Sequence, residues 1–66
     1  MLIDVRTKEE YEEGHHDGAT SIPLDTLEET TLPCGTDEEI TLYCRSGGRA
    51  HVAQQILTSK GYTNVQ

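Results

Sequence analysis

The residues from Cys44 to Ala50, Cys-Arg-Ser-Gly-Gly-Arg-Ala, place a thiol at the end of an apolar, strand-like run and follow it with two glycines between two arginines. That run is Glu39-Ile40-Thr41-Leu42-Tyr43, and a helical pattern begins near Ala50. In an open parallel sheet, ligands bind beyond the carboxyl ends of the strands, which is where Cys44 falls. The first N–H groups of a helix have no partner within it, and with the helix dipole they form an anion site. Gly47 and Gly48 give the backbone access to positive φ, so the loop can close into a tight cradle. Arg45 and Arg49 add fixed positive charge. A cysteine over such a cradle ionises readily: helix N-termini and nearby cations lower its pKa from about 8.5 to roughly 3.5–7.5. The expected species is a thiolate ringed by amide donors, a nucleophile whose donors also suit an oxyanion or a charged sulfur adduct. The plain alternative is a small buried hydrophobe ending a strand. The polar, glycine-rich, doubly cationic loop after Cys44 argues against it, because it makes a poor structural turn and a good anion nest.

The elements that must position this loop are short. Leu2 to Val5 is a nearly continuous apolar run, as in a strand buried on both faces of a parallel sheet. Thr7 precedes Glu10 by three residues, the spacing of a capping box, so a helix starts there and stops at Gly14. Gly18 to Pro23 reads as a second strand ended by proline, and Leu24 to Thr30 as a weak helical turn or two. Leu32 to Glu39, with Pro, Gly and charges, is a loop, and Glu39 to Cys44 is the clearest strand. Residues 50–61 form the clearest helix, with Val52, Ala53, Ile56 and Leu57 on one face and Gly61 as its stop. Tyr62 to Gln66 looks like the start of another strand. The alternation of strands and helices predicts an α/β fold, a small three-layer parallel sheet with helices on both faces.

With 66 residues the chain has room for one small domain, residues 1–66. Hydrophobic residues make up 33% of it, and neither Phe nor Trp occurs. Twelve acidic residues against five basic ones give a formal charge of -7, which argues against nucleic acid or an anionic membrane as partner. No run is apolar and long enough to span a bilayer. The N-terminus lacks the basic start and apolar core of a signal peptide. The cytoplasm is the default compartment, and a processed periplasmic form would read the same. Cys34 and Cys44 could form one disulfide at most, and their spacing is not that of a redox C-x-x-C device. Cys34 reads as a loop cysteine. Gly14-His15-His16-Asp17-Gly18 lacks the ligand count of a metal site and reads as a solvated turn.

Two motifs in order resemble the rhodanese-like (thiosulfate sulfurtransferase) domains. YCRSGGRA, from Tyr43 to Ala50, resembles their active loop, in which a cysteine follows a strand and an arginine closes a six-residue loop. LIDVRTKEEYEEGHHDGATSIP, from Leu2 to Pro23, resembles their second signature, and GYTNV their approach to a last strand. The likeness runs from Leu2 to Val65 and is closest to small single-domain members. It implies a rhodanese-like fold, truncated relative to the usual domain, which carries a further strand and helix before Leu2 and a strand, a turn and a helix after Val65. An unpaired sheet edge or helix face could then be covered by another copy of the chain.

The resemblance also implies a two-step relay that calls for no cofactor. Cys44 takes a sulfane sulfur from thiosulfate, releasing sulfite, and passes it to a thiol or cyanide. On this reading Arg45, Ser46, Gly47, Gly48, Arg49 and Ala50 hold the anion. Asp4 and Arg6 are structural, a buried ion pair tying the first strand to its helix. Cysteine phosphatases and arsenate reductases carry one more residue between cysteine and arginine, fitting a tetrahedral phosphate; the smaller loop here favours sulfur. A non-catalytic sulfur carrier or interaction module is the remaining alternative. The acidic surface repels free thiosulfate at long range, which makes a protein donor or acceptor credible.

Overall fold

The computed structural model describes residues 1–45 and 47–66. Three short parallel strands, β1 (Leu2–Asp4), β2 (Ala19–Ser21) and β3 (Thr41–Tyr43), form one sheet in the order β2-β1-β3. The helices are α1 (Lys8–Glu13), α2 (Leu24–Leu27) and α3 (Gly48–Ser59). After α3 the chain returns to the sheet. Val65 bridges Ile40 in parallel, and Gln66 N–H donates to the Ile40 carbonyl at 2.8 Å, extending the sheet beyond β3.

This order decides where the helices lie. The β1-to-β2 step runs one way across the sheet, while the β2-to-β3 step and the return after α3 run the other way. Right-handed crossovers then put α1 on one face and α2 with α3 on the opposite face, and α2 does pack on α3. The α/β fold, the parallel sheet and the helices on both faces are those expected.

The two faces differ chemically. Along β1, Ile3 and Val5 point to the α2/α3 side, where they join Leu27, Ile40, Ala53 and Leu57, all with at most 1% exposure. Asp4, also fully buried, points to the α1 side. Alternation therefore makes one apolar core and one polar, ion-paired layer. Asp4 receives Arg6 Nε at 3.0 Å and Nη2 at 2.7 Å, and Arg6 Nη2 also donates to the Gly14 carbonyl at 2.7 Å, just past α1. Burial raises the Asp4 pKa, but the hydrogen bonds and charge of Arg6 outweigh it and hold the carboxyl below its usual value. Tyr11 O–H reaches the Ala19 carbonyl at 2.7 Å and fixes α1 to β2.

Several boundaries differ from those read in the sequence. The Glu39–Cys44 run keeps strand geometry only over Thr41–Tyr43, with Ile40 as a bridge. Helix α2 is one turn long, with no side-chain cap. Helix α3 begins two residues before Ala50 because Gly47 serves as its N-cap. Val52 was expected on the core face but is 44% exposed. Ala53 and Leu57, four apart, form the centre of the buried stripe, and Val52 lies one residue round from it. The capping box appears as anticipated: Thr7 Oγ1 accepts from Glu10 N–H at 3.2 Å, and Glu10 Oε1 accepts from Thr7 N–H at 3.1 Å.

Candidate functional site

The carboxyl ends of β1 and β3 lie side by side, with Asp4 paired to Tyr43 and Val5 N–H donating to the Tyr43 carbonyl at 3.1 Å. Cys44 leaves the sheet at this edge, half-buried and packed against the core margin. Three residues on, Gly47 adopts φ 83° and ψ -22°, a left-handed conformation that turns the chain back to start α3. Gly47 N–H donates to Cys44 Sγ at 2.9 Å and Ala50 N–H at 3.2 Å. The sulfur thus sits over the amino end of a 12-residue helix, held by backbone donors from its cap and first turn.

Gly48 does not share the positive φ expected of both loop glycines. It is the first residue of α3 and takes helical geometry, since one left-handed residue already reverses the chain. Arg45 is exposed, and Ser46 lies outside the described residues. Arg49 was expected to add fixed positive charge beside the sulfur, with no partner named for it. Instead its Nη1 and Nη2 clasp Glu10 Oε1 and Oε2 at 2.7 and 3.1 Å. That ion pair joins the first turn of α3 to the first turn of α1. The fork from Arg49, then the N–H of Thr7, hold the Glu10 carboxyl down to about 2. The Glu10 carboxylate and the sulfur of Cys44 both favour the Arg49 cation, whose pKa is raised.

Glu10 is the residue near the site that sequence reasoning assigned only to a helix cap. Thr7-x-x-Glu10 announces a capping box, but nothing in the spacing tells that the same carboxylate meets an arginine 39 residues away. Asp4 and Arg6 are where the sequence placed them, buried and paired. The Arg6 guanidinium also lies 4.9 Å from the centre of the Tyr43 ring, and His16 meets the same ring edge-on at 4.5 Å. The residue before the reactive loop is therefore gripped from the α1 side. His15 stacks on Tyr11 at 3.7 Å, so both histidines of the acidic turn pack on tyrosines. Cys34 and Cys44 remain thiols, with no disulfide between them.

Beside Arg49 opens a shallow cleft of about 290 Å³, lined by Val5, Arg6, Thr7, Pro23, Leu24, Asp25 and Arg49. Val5 and Arg6 put it just past the carboxyl end of β1, and Arg49 at the first turn of α3.

Comparison with known proteins agrees with this arrangement. The profile of the family described as "Rhodanese-like domain" matches residues 1–66. Thiosulfate sulfurtransferase PspE of Escherichia coli is 39% identical over 66 residues, which cover 97% of this chain and 64% of that protein. The chain thus spans less than two thirds of that relative. Among solved structures, the human single-domain sulfurtransferase TSTD1 superposes with a TM-score of 0.90 at 30% identity, covering 98% of this chain and 70% of that one. A structure described as rhodanese with anions from Escherichia coli gives 0.87 at 37% identity, covering 97% and 78%. Fold, loop and sequence agree, and the chain belongs to the rhodanese-like domain family.

Proposed function

We propose that residues 1–66 act as one sulfurtransferase unit in which Cys44 carries a sulfane sulfur from thiosulfate or a persulfide donor to a thiol or cyanide. In the first step the Cys44 thiolate attacks the outer sulfur of thiosulfate. The S–S bond of the donor breaks, and sulfite leaves with the electron pair. In the second step an acceptor thiolate or cyanide attacks the terminal sulfur of the Cys44 persulfide, and Cys44 leaves as the thiolate, ready for another cycle.

The observation that carries this reading is the convergence of the Gly47 and Ala50 N–H groups on Cys44 Sγ. Donors fixed before the reaction stabilise negative sulfur without reorganising during it. They serve the thiolate first and the persulfide anion afterwards. In this reading Gly48, Arg45 and Ser46 also serve the bound anion. Arg49 closes the loop mechanically through Glu10. Asp4 and Arg6 hold β1 and Tyr43 in place beneath it. A solved relative is described as rhodanese with anions, which fits an anion-binding role for this chain.

The test is turnover of thiosulfate with cyanide. Wild type is expected to form thiocyanate and Cys44→Ser to lose it. If wild type forms none but gains one sulfur atom on Cys44, seen in the intact mass after exposure to a persulfide donor, the chain is a carrier rather than a complete enzyme. With neither result the sulfur-transfer reading fails.

A further inference from the structure

Glu10 does more than cap a helix. Its Oε1 accepts from Arg49 Nη1 at 2.7 Å, from Thr7 N–H at 3.1 Å and from Thr7 Oγ1 at 3.1 Å, while Oε2 accepts from Arg49 Nη2 at 3.1 Å. The carboxylate is clamped by its own helix start and by the first turn of α3. The two side chains are 33% and 21% exposed, so water screens the pair only in part. Arg49 follows Gly48 and precedes Ala50, whose N–H group holds the sulfur. The other loop arginine, Arg45, is exposed, where its charge is screened. The net charge that an incoming donor meets beside Cys44 is therefore set by whether Arg49 is balanced, and Glu10 balances it.

From this geometry we propose that Glu10 is a specificity-determining residue. By neutralising Arg49 next to the sulfur, it disfavours dianionic donors such as thiosulfate relative to donors of lower charge. The proposal rests on the reading that Cys44 accepts sulfur from an external donor. Its physical content is quantitative. Removing one negative charge near the site changes the work of bringing in a ligand in proportion to the ligand's own charge. If Glu10→Gln favours a singly charged reagent by some factor, it favours a doubly charged one by the square of that factor.

Glutamine at the third helical position still completes a capping box, so Glu10→Gln removes the charge while keeping the helix start. Glu9→Gln is the control: Glu9 is exposed on the same turn, so that change removes the same net charge outside the Arg49 pair. In the full chain, alkylation of Cys44 is followed with iodoacetate, an anion, and iodoacetamide, which is neutral, by the mass of the Cys44 peptide so that Cys34 is not counted. The ratio of the two rates cancels the thiolate fraction and reads the local potential. Glu10→Gln is expected to raise that ratio about threefold at low salt, with the gain shrinking at about 1 M salt. Glu9→Gln is expected to give less than half that change. kcat/KM for thiosulfate is expected to rise about tenfold in Glu10→Gln, the square of the first factor.

An unchanged ratio, or an equal rise in Glu9→Gln, overturns the proposal. So does a fall in thiosulfate turnover with the ratio unmoved, which would make Glu10 a holder of the loop and leave sulfur transfer standing. A raised ratio with no thiosulfate turnover in any variant, and no sulfur gained on Cys44 from a persulfide donor, supports the charge-setting role and removes the sulfur-transfer reading instead.

Discussion

Replacing Gly47 by alanine tests the cradle at the residue that shapes it. A β-carbon built at Gly47 has nothing within 4 Å, so crowding is not the issue. The cost is conformational: φ is 83°, and an L-residue in the left-handed region is disfavoured by roughly 1–2 kcal/mol. For a chain of this size each kcal/mol shifts Tm by about 4–8 °C, so a fall of several degrees is expected. The same strain pulls Gly47 N–H away from Cys44 Sγ, now 2.9 Å apart. A hydrogen bond to a charged group contributes roughly 1.5–3 kcal/mol. At about 1.4 kcal/mol per pKa unit, weakening it raises the Cys44 pKa by about one unit. Gly48→Ala is the internal comparison. That position is already helical, so alanine there pays no φ penalty and leaves Tm unchanged or slightly higher. The assay is thermal unfolding together with the pH dependence of Cys44 alkylation. The reasoning is refuted if Gly47→Ala leaves both Tm and the alkylation pKa where they were, or if Gly48→Ala costs as much.

Other consequences are simpler. Wild-type Cys44 should alkylate with an apparent pKa below the free value of about 8.5, and Arg49→Ala should move it upward, since the cation and the sulfur favour each other's charged forms. Leu57 is fully buried between α3 and the sheet, so Leu57→Ala should cost about 2–5 kcal/mol. That is comparable with the whole stability of so small a core, and urea titration should find the variant largely unfolded. The Glu10 carboxyl is held at about 2 against an ordinary value of 4.5, so its ion pair stabilises the fold above the unfolded value and loses that effect as acid carries the pH down to the folded value. Between about pH 5 and pH 2, wild-type Tm should therefore fall more steeply than that of Glu10→Gln; parallel curves would deny the pair a role in stability.

Local signals were strong where the chemistry is local. A threonine three residues before a glutamate specifies a helix start through two reciprocal hydrogen bonds, and both are present. A cysteine after a β-rich run, with glycines before a helical pattern, places a sulfur at a helix amino end, and Cys44 Sγ receives its amides there. The Asp4–Arg6 pair was legible for the same reason, since residues two positions apart at a strand end reach each other without help from the fold. Element ends were less so. Pairing in the sheet, not propensity, cut the Glu39–Cys44 run to three strand residues, and Val52, one residue round from the Ala53–Leu57 stripe, stayed outside the core.

What residues near one another in the chain can settle was thus settled by type and spacing: the alternation that makes an α/β fold, the loop that offers amide donors to a sulfur, and the acidic balance of -7 that disfavours polyanionic partners. What the tertiary structure alone decided is the electrostatic state of that loop. Arg49 and Glu10 are 39 residues apart and meet because β1 and β3 lie side by side, which brings the starts of α1 and α3 to one edge of the sheet. Charges sum over distance in space, so a sequence that shows two arginines beside a thiol cannot show that one of them is already balanced.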